Sequence, residues 1–239
     1  MKNNIITPQY NCNGTFLRQI RSFVCRKGRI TKSQSEAIKK YWSSIGIDFK
    51  SEPLNFTSIF KNSAPIILEI GFGSGSSLVE TAINFPDKNF LGIEVYKPGI
   101  GSCLRLAHFS GISNIKIIYH DAIEVIDNMI LDYTLLKVQI FFPDPWNKKR
   151  HHKRRIIQDF FLRKILKKLT VGGILHIVTD SKEYSFFILN LIKNIDNYIN
   201  ISKKRTFIER FKFRLITKFE KKAKFLGNEI FDLIFQSKK

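Results

Sequence analysis

The sequence predicts a doubly wound, Rossmann-like α/β domain, and three observations carry that prediction. Five strands of about five apolar residues alternate with amphipathic helices between Pro65 and Ile195, the pattern of a parallel sheet covered on both faces. A glycine-rich turn, Gly71-Phe72-Gly73-Ser74-Gly75, follows the first of these strands and opens a helix. An acidic residue stands at the end of each strand: Glu69, Glu94, Asp121, Asp144 and Asp180.

Taken in order, residues 1–30 form a polar, basic arm with Arg18, Arg21, Arg26, Lys27 and Arg29 spread among few periodic apolar positions. Such an arm is either disordered or lies beside a nucleic-acid site. Residues 31–239 read as a single domain. Thr31 with Gln34, or Ser33 with Glu36, can box the start of a helix through Ala37, Ile38, Tyr41 and Trp42. The alternation then runs as strand Ile66–Ile70, helix Ser76–Phe85, strand Phe90–Val95, a helix to about Phe109, strand Ile115–Tyr119 and a helix from Ala122. It continues with strand Val138–Phe142, a helix from about Ile156 to Leu169, strand Ile174–Val178 and a helix from about Glu183 to Ile195. In the tail, Phe207–Ile216 and Glu229–Phe235 read as an antiparallel strand pair at one sheet edge, joined by TKFEKKAKFLG without a crossover helix.

The 239 residues suffice for one large domain with a substantial core. Lys and Arg number 40 against 20 acids, a net charge of +20, which suggests a polyanionic partner. The chain is also rich in Ile, Lys, Asn and Phe, as an A+T-biased genome would make it, so local clusters of charge carry more weight than the total. Cys12, Cys25 and Cys103 are widely separated and show no zinc-ligand spacing, so no metal is expected. No signal peptide and no apolar run of about 18 residues are present, so a cytoplasmic protein without a membrane partner is expected.

The glycine turn lets the backbone bend sharply and approach a ligand closely. Ser76 stands where a dinucleotide fingerprint wants glycine, and the Gly-Lys-Ser/Thr of a phosphate-binding loop is absent. Glu69 would repel a pyrophosphate but suits a cation such as a sulfonium or an amino acid moiety. Glu94 ends the second strand about 20 residues beyond the glycines, where an acid commonly accepts ribose hydroxyls. Asp121, after the third strand, is placed to meet an adenine amino group. Ligands of open α/β sheets bind beyond the carboxyl ends of the strands, so the five acids belong to one rim.

The run FFPDPWNKKRHHKRR, Phe141 to Arg155, joins chemistry to charge. Pro143 and Pro145 end the strand and hold Asp144 on an extended segment. Lys148, Lys149, Arg150, Lys153, Arg154 and Arg155 follow either as a solvated charged turn leading into a helix or as a contact for a phosphate backbone, and the acid between prolines just upstream favours the second. Trp146 either offers a face to a flipped base or plugs the sheet edge.

With these residues in view, the chain resembles the class I S-adenosylmethionine-dependent methyltransferases, and more narrowly the bacterial tRNA (guanine-N7)-methyltransferases. The matching stretches are RSFVCRKGRITKSQ, LEIGFGSGSSL, LGIEVYKPGIG, HDAIEV, FFPDPWNKKRHHKRR, LHIVTDSKEY and TKFEKKAKFLG, from Arg21 to Gly227. The glycine motif is widespread, whereas PDPW with its basic run and the final T-x-F-E are specific to this family. Asn147, Tyr96 and Ser74 depart from the family's usual proline, histidine and methionine and bear only on local loop shape.

The resemblance implies S-adenosylmethionine as cofactor and methylation of guanine N7 in the tRNA variable loop, at tRNA position 46. It implies cofactor contact from Glu69, Gly71, Gly73, Gly75, Glu94, Asp121 and Asp144, with Asp144 catalytic. It implies substrate contact from Lys148, Asp180, Thr217, Lys218, Phe219 and Glu220. It implies RNA contact from Arg150, His151, His152, Lys153, Arg154 and Arg155. No obligate protein partner is expected, and the active species would be a monomer or homodimer. Exocyclic-amine methylation, a non-catalytic RNA-binding protein and a dehydrogenase are the competing readings; the residue after Pro145, the intact rim and Ser76 respectively argue against them.

Overall fold

A computed structural model describes residues 5–17, 19–24, 28–202, 207–208 and 214–238. Arg18, Cys25, Arg26 and Lys27 of the arm and the middle of the Phe207–Ile216 stretch lie outside the described residues. Among those described, eight strands form one sheet in the order β1-β4-β3-β2-β5-β6-β8-β7. The strands are β1 Gly46–Ile47, β2 Ile66–Ile70, β3 Asn89–Glu94, β4 Ile115–Tyr119, β5 Leu135–Phe141, β6 Leu169–Thr179, β7 Tyr198–Asn200 and β8 Phe231–Ser237. Strands β1 to β6 pair in parallel, and β8 runs antiparallel to both β6 and β7. This is the expected α/β class with an antiparallel C-terminal end.

The helices are α1 Lys32–Ile45, α2 Phe56–Phe60, α3 Ser76–Asn84, α4 Lys97–Phe109, α5 Ala122–Asn128, α6 Asp159–Lys168, α7 Lys182–Lys193 and α8 Lys218–Phe225. Thr31 caps α1 with Gln34 as its reciprocal partner, the first of the two expected boxes. Side chains of β2 alternate between two cores. Ile66, Leu68 and Ile70 join α5, α6 and α7 in one, while Ile67 joins α1, α3 and α4 in the other. The fold is thus three layers, helix on sheet on helix. Among the described residues, no helix is long and apolar enough to cross a membrane.

Two expectations about the tail need correction. TKFEKKAKFLG is not a plain connector: Thr217 caps α8 by accepting from Glu220 N–H, so most of the stretch is helical. Besides β6, the antiparallel neighbour of β8 is the three-residue strand Tyr198–Asn200, too short to carry an alternating signal. The described ends of Phe207–Ile216 contribute only an isolated bridge between Ile208 and Asp232. Several boundaries also move; β5, for example, begins at Leu135 instead of Val138. The helix expected from Ile156 starts at Asp159, and Leu169 begins β6 instead of ending that helix.

Candidate active site

At the carboxyl ends of the parallel strands lies a cavity of about 570 Å³, within the ~300–1,000 Å³ range of small-molecule sites. Its walls include Gly71 and Gly73, Ile93 and Glu94 at the end of β3, Phe142 to Asp144 after β5, and Phe219 of α8. Five of the expected residues therefore meet in one space: Gly71, Gly73, Glu94, Asp144 and Phe219.

The glycine loop has left-handed backbone at Gly71, Gly73 and Gly75, with φ of 78°, 60° and 77°. At Gly75 a side chain is also excluded by space, since a Cβ would lie 2.4 Å from Cys103 Sγ. Any larger residue there would push α3 away from α4. Gly75 thus shapes the loop without lining the cavity. Glu94 ties the loop to β3: its carboxylate accepts from Gly73 N–H at 2.7 Å and from Val95 and Tyr96 N–H at 2.7 and 3.0 Å. Burial pushes the Glu94 carboxyl above the usual carboxylate range; the three N–H groups oppose that rise, and the nearby Asp144 charge adds to it.

Glu69 lies beneath the loop instead of in the cavity wall. It is 3 % exposed, accepts from Gln139 Nε2 at 3.2 Å, and is pushed by burial up to about 7. Asp121 is 1 % exposed and caps α5 through Ile123 N–H, while its other oxygen accepts from Arg21 Nη1 at 2.9 Å. Its neighbours His120 and Ala122 reach the cavity.

The PDPW loop is strained and pinned. Phe142 and Trp146 on either side of Pro143-Asp144-Pro145 hold left-handed φ of 53° and 47°, conformations costing bulky residues on the order of 1–3 kcal/mol each. Asp144 is exposed at the cavity mouth. Behind it, Arg155 Nε donates to the Pro145 carbonyl at 2.8 Å.

Arg155 does not belong with the RNA-facing cations. Its side chain is buried, paired through both terminal nitrogens with Glu183 and stacked on Tyr184 and Phe187. Sequence proximity placed it in the basic run, but the 3-10 turn Lys149–Arg154 ends just before it and the chain turns inward. Arg154 donates to the Arg21 and Phe23 carbonyls and covers the Trp146 ring. Lys148, Lys149, Arg150 and Lys153 are the exposed cations; His151 and His152 are half-buried. Slight burial and then the surrounding cations hold His151 below the usual histidine range.

The remaining expected substrate residues are split. Asp180 accepts from Asn228 Nδ2 at 3.2 Å, Thr217 caps α8, and Lys218 is exposed. Glu220 is fully buried, facing Arg214 and Lys224. Sequence reasoning missed the part played by the arm. Ser22, Phe23, Val24 and Gly28 line the cavity beside Tyr96 and His120. The signal was there in RSFVCRKGRITKSQ, matched as a motif but given no role.

Sheet order, glycine loop and acidic strand ends define an α/β methyltransferase. The family described as "Putative methyltransferase" matches residues 63–233. An rRNA methylase from Streptococcus thermophilus shares the fold, with a TM-score of 0.50 at 12% identity over 89% of this chain and 100% of that one. A tRNA (guanine-N(7)-)-methyltransferase of Buchnera aphidicola subsp. Schizaphis graminum is 83% identical over the whole of both chains. One of the same name from Yersinia pestis (strain Pestoides F) is 46% identical over 100% of each. The chain belongs to the tRNA (guanine-N7)-methyltransferase family.

Proposed function

We propose that this chain transfers a methyl group from S-adenosylmethionine to N7 of guanine in the tRNA variable loop. The observation that carries the reading is that Glu94 and the glycine loop share one cavity with Asp144 and Phe219. A nucleoside-binding half and a base-binding half thus open into the same space. The residues fit the cofactor: glycines permit close backbone approach, Glu94 supplies carboxylate oxygens for ribose, and Ile93, Val95 and Ala122 offer an apolar wall to a purine.

S-adenosylmethionine, when bound, supplies a methyl group made electrophilic by its sulfonium. Guanine N7 carries a free lone pair, so the chain need remove no proton and its work is positioning. Asp144, at the mouth, can accept from the guanine N1 and N2 donors and stabilise positive charge developing on the base. The pinned loop around it limits reorganisation. Lys148, Lys149, Arg150 and Lys153 extend from the same loop and grip the phosphate backbone. The same reading takes no obligate partner protein, a monomer or homodimer as the active species, and the cytoplasm as the place where the chain meets tRNA.

The test is incubation of the full chain with unmodified tRNA and labelled S-adenosylmethionine, followed by nucleoside analysis and mapping. Label in 7-methylguanosine of the variable loop is expected; label in methyladenosine or at an exocyclic amine would overturn the reading.

A further inference from the structure

A buried charged network on the C-terminal side of the cavity takes no direct part in the transfer reaction. Arg214 Nε and Nη2 donate to the two oxygens of Asp232 at 3.1 and 2.9 Å, and its Nη1 donates to Glu220 Oε2 at 2.5 Å. His176 Nε2 lies 2.6 Å from Asp232 Oδ1. All four side chains are 5 % exposed or less. The row begins near the cofactor side, because Glu69, Gln139 and His176 are laterally paired on β2, β5 and β6 and share a face.

What this network holds is α8. That eight-residue helix buries only Glu220 and Ala223, while Phe219 and Phe225 are 59 % and 89 % exposed. One buried alanine gives little hydrophobic adhesion, so the helix is seated chiefly by the buried Glu220 carboxylate, which accepts from Arg214 Nη1. The bidentate pair of Arg214 with Asp232 fixes the direction in which Nη1 reaches Glu220. The same first turn carries Phe219, which lines the cavity, stacks on Phe142 at 6.3 Å and 23°, and is the side chain that faces Gly73. Phe142 directly precedes the Pro143-Asp144-Pro145 segment. Asp232 also anchors the chain's return, its carbonyl accepting from Ile208 N–H.

We propose that Arg214 and Asp232 are positioning residues for methyl transfer: they hold the Thr217–Glu220 turn and Phe219 over the cavity. Glu220 then acts through its bond from Arg214 Nη1 instead of touching the base. This rests on the reading that the cavity takes guanine beside Asp144.

The test uses the full chain and compares wild type with Asp232→Asn for S-adenosylmethionine affinity and for steady-state methylation of unmodified tRNA. Cofactor affinity should stay within about twofold, while kcat/KM for tRNA falls by about 10²-fold, the loss that a displacement of about 1 Å can cause. A double-mutant cycle with Phe219→Ala separates positioning from general weakening. In the Asp232→Asn background, removing the Phe219 ring should cost much less than in wild type; additive losses would overturn the proposal. A triple variant, Arg214→Met with Asp232→Asn and Glu220→Gln, removes the three mutually paired charges together. Its thermal midpoint should recover towards wild type while tRNA turnover stays low, and recovery of turnover with stability would also overturn the proposal. Should the triple variant fail to fold, the cycle decides. Wild type making no 7-methylguanosine would instead be a failure of the proposed function, visible before any variant is compared.

Discussion

The guanidinium of Arg154 lies over the Trp146 ring, 4.0 Å from its centroid, and both side chains donate to the arm. Arg154 reaches the Arg21 and Phe23 carbonyls at 3.1 and 2.9 Å, and Trp146 Nε1 reaches the Ser22 carbonyl at 3.3 Å. From the other side, Arg21 pairs with Asp121 and Glu124. The segment over the cavity is therefore strapped between the PDPW loop and the start of α5.

Arg154→Ala should loosen this strap before it alters chemistry. Removing the ring interaction and two carbonyl hydrogen bonds amounts to about 1–3 kcal/mol, so S-adenosylmethionine affinity should drop about 10-fold and amide exchange at Ser22–Val24 should accelerate. Arg154→Lys should not restore either, because an ammonium cannot fork to two carbonyls while lying flat on the indole. Unchanged exchange in Arg154→Ala would contradict the strap.

Arg155→Ala should act on stability. It empties a buried site that holds the Pro145 carbonyl and Glu183, at a cost of about 2–4 kcal/mol. The salt dependence of tRNA binding should be unchanged in this variant. Alanine at Lys149, Arg150 or Lys153 should instead lower the slope of log K against log salt by about one for each phosphate left without its cation. A reduced slope in Arg155→Ala would return it to the RNA face.

Cofactor affinity should depend on pH through Glu69. Burial raises its carboxyl to about 7, so between its ordinary range and 7 the folded chain holds a proton that the unfolded chain has released. A cationic ligand favours the ionised form, acting through the buried medium where charge is weakly screened. Affinity for S-adenosylmethionine should therefore rise as pH climbs through 7 and then level off, and calorimetric titrations of Glu69→Gln should show no such rise.

Acid stability should depend on His176, which burial holds down to about 4 despite its hydrogen bond to Asp232. The folded chain keeps it neutral while the unfolded chain protonates below about 6.5, so its contribution is lost as pH falls from 6.5 towards 4. Glu69 acts in the opposite sense over part of that window, so Glu69→Gln is the proper background. There the thermal midpoint should decline with acid, and adding His176→Gln should flatten the decline; equal slopes in the two variants would contradict the assignment.

The alternation that made the parallel sheet legible is the same feature that hid the tail. Strands such as Ile66–Ile70 are buried along their whole length, so they appear as uninterrupted apolar runs. Tyr198–Asn200 has only three residues, and α8 is so polar that only the cap from Thr217 to Glu220 N–H marks it as a helix. At the site, Gly71, Gly73, Glu94 and Asp144 could be placed because each sits next to a strand end, where topology decides position. Arg155 could not: whether a cation faces solvent or a buried Glu183 depends on where a 3-10 turn stops. Arg214 meets Glu220 and Asp232 only 6 and 18 residues on, but no periodic pattern announces which of the many cations here turns inward.

Everything at the cavity mouth turns on Asp144 serving the transfer step. The sharpest test is single-turnover methylation of unmodified tRNA by Asp144→Ala, with S-adenosylmethionine and tRNA both saturating. Near-complete loss of 7-methylguanosine formation is expected, with tRNA affinity largely intact; turnover near that of wild type would contradict this role.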